Sequence, residues 1–145
     1  MSIMGLDYGA KTVGVAISDT LLFIARPHET IFRKREDKLR KTLARIEAII
    51  EEYEVTQIVL GLPLNMDDSL GERAKKTLEF KEILEKRLGR EIILQDERLS
   101  TFEAQEVLRQ ANVRKEDMKA YVDKIAASYI LQDYLDGRNK QDNPS

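Results

Sequence analysis

Apolar residues dominate the first eighteen positions: Ile3, Met4, Leu6, Val13, Val15, Ala16 and Ile17 stand among small residues, on either side of a Gly9-Ala10-Lys11 turn. Ser2 to Leu6 and Thr12 to Ser18 therefore predict the two strands of a hairpin, and the scarcity of polar positions predicts a central, buried place for it. Phe23 to Phe32 (FIARPHETIF) predicts a third strand at an edge, because Pro27 lacks the N–H that an interior ladder needs. Leu39, Leu43, Ile46, Ile50 and Tyr53 recur at helical spacing, which predicts an amphipathic helix over about Asp37–Glu54. Gln57 to Leu62 (QIVLGL) is a continuous apolar run, the pattern of a parallel strand covered on both faces. It ends in the loop Pro63-Leu64-Asn65.

The same alternation continues to the end of the chain. A second amphipathic helix is expected over about Gly71–Leu88, with Leu78, Ile83, Leu84 and Leu88 inward. Glu91 to Gln95 (EIILQ) predicts a fifth strand. A helix begins at Ser100 or Thr101 and runs to about Gln110, and the last helix spans about Lys119–Leu135. The order β-β-β-α-β-α-β-α-α implies an α/β fold. A mixed five-stranded sheet, a three-strand antiparallel meander followed by parallel strands with right-handed crossovers, is flanked by helices. Residues 1–136 are expected to form a single domain and the polar stretch 137–145 a flexible tail. Ligands of such sheets gather beyond the carboxyl ends of the parallel strands, where the loop after Leu62 and the pair Asp96-Glu97 would open.

Composition narrows the setting without choosing a function. The chain has 145 residues, 42% hydrophobic and 34% charged, with no cysteine and a formal net charge of −2. Disulfides and thiolate metal sites are therefore excluded, and nucleic-acid binding would have to rely on local patches. No run is long enough to cross a bilayer, and the N-terminus has no basic region with a long apolar stretch. A cytoplasmic protein with no membrane partner is expected. No Walker-type loop or GxGxxG is present, and nothing places a hydroxyl nucleophile beside His28, the one histidine.

The carboxylates carry the candidate chemistry. Asp7 closes an apolar strand, where an uncompensated charge is costly. It either caps the following turn or awaits a cation or a phosphate-bearing ligand. Asp96 and Glu97 follow the fifth strand and could hold a divalent metal through oxygen, although a turn at Asp96 with a Glu97–Arg98 surface pair is the commoner arrangement of acids after a strand. Asp123 shares a helix face with Ala127, Ile130 and Tyr134, a position that is buried or rims a buried site. Asp67 or Asp68 could cap the second helix. Segment 33–41 has six basic residues against two acids. Such runs are usually solvated, as Arg73, Lys75 and Lys76 on their helix could also be. Isolated carboxylates without His or Cys partners suit Mg²⁺ or Mn²⁺, hard cations that can activate water at a phosphodiester.

Four blocks, GLDYGAKTVGVAISD, IVLGLPLNMDDSLGERA, LQDERLST and VDKIAASYILQDYL, resemble the YqgF/RuvX family of bacterial nucleases, over about Ile3 to Leu135. The resemblance implies a ribonuclease H-like fold related to the RuvC-type Holliday junction resolvases. It also implies metal-dependent cleavage of phosphodiester bonds during 5′-end maturation of the small-subunit ribosomal RNA precursor, with branched DNA as the alternative substrate. It makes Asp7, Glu97 and Asp123 the catalytic acids and ligands of Mg²⁺ or Mn²⁺, with Asp96 as the alternative to Glu97. The fourth strand ends in Gly-Leu-Pro and has no acid, so a further ligand would come from the next strand end or from Asp67 or Asp68. Lys11, Arg73, Lys75, Lys76 and Arg98 are the candidates for contacts to structured RNA or branched DNA. Ribosome-assembly components are further partners in this reading, and the chain would act as a monomer or homodimer. The first hairpin also resembles the phosphate-binding hairpin of the actin and sugar-kinase superfamily, but those proteins bind nucleotide between two such domains and this chain has length for one. A non-catalytic RNA-binding assembly factor is the third reading.

Overall fold

The computed structural model describes residues 1–64, 70–97, 106–112 and 114–142. Five strands form one sheet in the order β3-β2-β1-β4-β5. They are β1 (Ser2–Tyr8), β2 (Thr12–Ser18), β3 (Ala25–Phe32), β4 (Val55–Leu62) and β5 (Ile93–Asp96). The pairs β1–β2 and β2–β3 are antiparallel, whereas β1–β4 and β4–β5 are parallel. The meander-then-parallel order expected from the pattern is the one observed. β1 is central and runs through Asp7, which pairs with Gly14 of β2, to Tyr8. β3 is an edge strand, with Pro27 beside an irregularity in its register with β2, as an imino acid requires.

Alternation along β1 divides its side chains between two cores. Met4, Leu6 and Tyr8 join Leu43, Ile46 and Ile49 of α1 (Arg40–Glu52) and Phe80 and Leu84 of α2 (Glu72–Leu88). Ile3 faces the opposite way, with Ala16 and Val59, against Ala127, Ile130, Leu131 and Leu135 of α3 (Lys115–Asp142). Residues 106–110 are helical, and Leu108 packs on Val122 and Ala126 of α3. α2 stops at Gly89, which takes the left-handed conformation at φ 65° and closes the helix with its N–H on the Glu85 carbonyl.

Several expected boundaries and faces change. β3 starts at Ala25 because Asp19 Oδ1 accepts the N–H groups of Phe23 and Ile24 at 2.8 and 3.0 Å and holds them in the preceding turn. α1 begins three residues later than the pattern suggests. β5 occupies Ile93–Asp96 rather than Glu91–Gln95. Ile83 is exposed, since the buried row of α2 is Ala74, Thr77, Phe80 and Leu84. α3 continues to Asp142 through the polar stretch expected to be a tail, with Asn139 Nδ2 donating to the Leu22 carbonyl at 3.2 Å. The start of the helix expected at Ser100 or Thr101 lies outside the described residues.

Candidate active site

The face of the sheet under α3 is built with side chains missing. Gly5, Gly14 and Gly61 lie on β1, β2 and β4 in line with the residues that pack against that helix. A Cβ on Gly5 would stand 2.7 Å from the Leu131 Cβ and 3.0 Å from the Ala127 carbonyl. One on Gly14 would stand 1.9 Å from the carbonyl oxygen of Asp123. One on Gly61 would stand 2.5 Å from Ile130 Cδ1 and 2.6 Å from Glu97 Oε2. Cβ atoms do not come this close in packed interiors, so the helix and the Glu97 carboxylate occupy room left by glycine.

These glycines let three segments meet at one end of the sheet. Asp7 is only 9% exposed and points to the α3 face, opposite Gly14. Glu97 directly follows β5, and its backbone N–H donates to the Leu62 carbonyl at the end of β4, 3.1 Å away. That bond carries its half-buried side chain over Gly61 and into a hydrogen bond with Asp7. Asp123 lies in the third turn of α3, with its carbonyl on Gly14, close enough to act on both acids through its charge. Asp96, the last residue of β5, is exposed.

Burial raises both carboxyls. Asp7 is pushed up to about 6, chiefly by loss of water. The Asp123 charge pushes the same way, while the hydrogen bond from Glu97 and the Arg73 guanidinium oppose the rise. Glu97 is pushed up to about 10, first by burial, then by the Asp7 charge and hydrogen bond and by Asp123. At neutral pH the pair thus retains a proton, held in the hydrogen bond between the two carboxyls. Like charges forced together in this way are what a cation relieves. The donor set is all oxygen, which fits a hard divalent ion and not a soft one. Among the described residues no three acids are drawn around a single ion position; Asp7 and Glu97 touch, and Asp123 faces them from the helix.

Behind the acids lies a cation cluster organised by Tyr8. Its ring stacks on Phe80 with centroids 4.1 Å apart, and the guanidinium groups of Arg33 and Arg73 lie 4.8 and 5.4 Å from its centroid. Glu36 accepts from Arg73 Nη1 at 2.9 Å and receives the Tyr8 hydroxyl, whose phenol burial pushes up. Arg33 Nη2 donates to the Gly9 carbonyl at 2.6 Å. Arg73 therefore reaches the acids electrostatically from a fixed position. Lys11 is exposed on the turn after Asp7, and Lys75 is exposed on α2. Lys76 pairs with Glu79 at 3.9 Å and lines a hollow with Phe80 and Ile83, apart from the acids. Arg98, Asp67 and Asp68 lie outside the described residues. Arg33, Glu36 and Tyr8 were not singled out from the sequence as parts of this site, because a charge run reads as solvated until the fold buries one member.

Comparison with known proteins gives a consistent set of matches. The family profile described as "RuvX: Holliday junction resolvase" matches residues 1–137. A protein of Lachnospira eligens named "Putative pre-16S rRNA nuclease" is 54% identical over 140 residues, covering 97% of this chain and 100% of its own. Proteins of the same name from Halothermothrix orenii and Listeria innocua are 49% and 46% identical, each covering at least 96% of this chain. Among solved structures, Fowlpox virus resolvase with Holliday junction DNA is similar at TM-score 0.55 and 13% identity, covering 95% of this chain and 99% of its own. Thermus thermophilus RuvC with its Holliday junction substrate is similar at TM-score 0.50 and 14% identity, covering 96% of both chains. These two share the fold, a resolvase-type ribonuclease H-like sheet.

Proposed function

This chain belongs to the RuvX family, and from that membership and the acid pair we propose that it is a metal-dependent nuclease that trims the precursor of small-subunit ribosomal RNA. The observation that carries the reading is the hydrogen-bonded, buried Asp7–Glu97 pair, repelled by Asp123 at the carboxyl ends of parallel strands. Asp7, Glu97 and Asp123 would hold Mg²⁺ or Mn²⁺, which when bound supplies an activated water and neutralises charge on the phosphodiester. The chain's own part is to hold the acids in place. Gly61 admits Glu97, Gly14 seats the Asp123 turn, and the Leu62 carbonyl fixes the backbone of Glu97. Arg73, anchored by Glu36, offsets part of the negative charge that the site gathers.

RNA is favoured as substrate because the relatives named as ribosomal RNA nucleases match along the whole chain at about half identity, whereas the resolvase structures share little more than the fold. The family description favours branched DNA as the second reading. Cytoplasmic location, ribosome-assembly partners and a monomeric or homodimeric state belong to the same proposal. Among the described residues no helix is long and apolar enough to cross a membrane. The test is cleavage of a small-subunit ribosomal RNA precursor and of a four-way DNA junction with Mn²⁺, by the unsubstituted protein and by Asp7→Asn. The proposal expects RNA cleavage that Asp7→Asn reduces by at least about a hundredfold, the scale on which electrostatic catalytic groups act. Equal cleavage by both proteins would remove Asp7 from the reaction, and cutting of the junction alone would reverse the choice of substrate.

A further inference from the structure

The cations of segment 33–41 are gathered rather than scattered. Arg33, Lys34, Arg35, Lys38, Arg40 and Lys41, together with Phe32, line a groove of about 660 Å³. The two acids of the segment are engaged: Glu36 by Arg73 at 2.9 Å, and Asp37 by Arg35 at 3.5 Å. Lys34, Lys38, Arg40 and Lys41 have no carboxylate partner among the described residues. Phe32 ends the edge strand β3 and is 61% exposed. Exposed cations without counter-charges around an open aromatic ring match a chain of phosphates with flat bases between them.

Arg33 joins this groove to the turn between β1 and β2. Its side chain lines the groove yet is only 3% exposed. Nη2 is fixed on the Gly9 carbonyl, two residues beyond Asp7, while Nη1 is buried with no hydrogen-bond partner among the described residues. The groove therefore shares one guanidinium with the turn that follows Asp7.

We infer that the groove binds an unpaired RNA strand flanking the site of cleavage, with its phosphates on the cations and one base stacked on Phe32. Calling that strand a substrate flank rests on the nuclease reading above; the groove itself is argued from its own residues. A duplex keeps its base faces against each other and offers the ring nothing to stack on. An acidic peptide would match the charge but not the ring.

The test is fluorescence anisotropy with a labelled, unstructured RNA of about 12 nucleotides, using the full chain in EDTA so that the RNA stays intact. Phe32→Ala should weaken binding about 5- to 100-fold and Phe32→Tyr should preserve it, as stacking requires. Replacing Lys34, Lys38 and Lys41 together by Gln should lower affinity and flatten the salt dependence by about 0.7 in log–log slope for each phosphate left unneutralised. All these positions are exposed, and a thermal melt checks that each variant is folded. Unchanged RNA binding in both Phe32→Ala and the triple variant would overturn the inference. So would a blunt duplex or a polyglutamate peptide binding more tightly than the RNA. A DNA strand of the same sequence binding no more tightly than the RNA supports the assignment, and binding of DNA alone overturns it. If Phe32-dependent binding holds while the protein fails to cut precursor RNA with Mn²⁺, the nuclease reading falls and the groove stands; the reverse result removes the groove alone.

Discussion

The two faces of the central strand work in opposite ways. Met4, Leu6 and Tyr8 point into a core of large apolar side chains from α1 and α2, where burial is the stabilising force. On the other side Ile3 and Gly5 bring α3 close, and Asp7 ends the row with a carboxylate that burial makes costly. One face stabilises the sheet by filling space. The other packs a smaller apolar core against α3, gives up side chains at Gly5, Gly14 and Gly61 to let the helix in, and spends stability on the charge gathered at its end. The fold thus separates what holds it together from what it offers to a ligand, within a single strand of seven residues.

The largest effect is expected on the filled face. Phe80 is 1% exposed and stacked on Tyr8, so Phe80→Ala should cost about 3–5 kcal/mol in denaturant unfolding. Mn²⁺ affinity in the folded fraction should hardly change. A variant that loses metal affinity and little stability would break the division between the faces. Next comes Gly14→Ala. Its new methyl would meet the Asp123 carbonyl, a backbone atom that cannot rotate away, at a cost of about 3 kcal/mol or more. Here metal affinity should fall along with stability, because the turn that carries Asp123 is displaced. Retained affinity would show that Asp123 does not need this seat.

The smallest effect has the opposite sign. An ordinary Asp carboxyl loses its proton near 3.8 and Asp7 near 6, so between these values the folded chain keeps a proton that the unfolded chain has released. Metal-free protein should therefore lose stability as pH rises from about 4 to about 6, and Glu97, raised to about 10, extends the decline. Asp7→Asn removes the charge while its amide oxygen can still accept the Glu97 proton. It should stabilise the metal-free protein at pH 7 by about 1–3 kcal/mol and flatten the pH profile of its melting temperature. A variant less stable than the parent at pH 7 would mean that the Asp7 charge is already compensated.

The order and polarity of the strands were legible because each apolar run has the length and period of one strand, and the intervening helices force parallel pairing. Legibility ended where a residue's role depends on what packs above it. Gly14 and Gly61 read as small residues until α3 lies on them. Asp96 and Glu97 are equivalent in sequence, and only the Glu97 N–H on the Leu62 carbonyl directs one of the two inward. Arg33 looked like one more charge in a basic run, and it is Tyr8, supported from below by Phe80, that draws it inside. The last turns of α3 lack the apolar period that marks a helix, but extending a formed helix costs little.

The most direct test of the central claim, that Asp7, Glu97 and Asp123 form one charged site whose cost a cation relieves, is calorimetric titration of Mn²⁺. The unsubstituted protein, Asp7→Asn, Glu97→Gln and Asp123→Asn are compared at pH 7. The account predicts binding by the unsubstituted protein that each substitution weakens by at least about tenfold, the scale on which a tuned metal site responds. Equal Mn²⁺ binding by all four proteins, or none by the unsubstituted one, would contradict it.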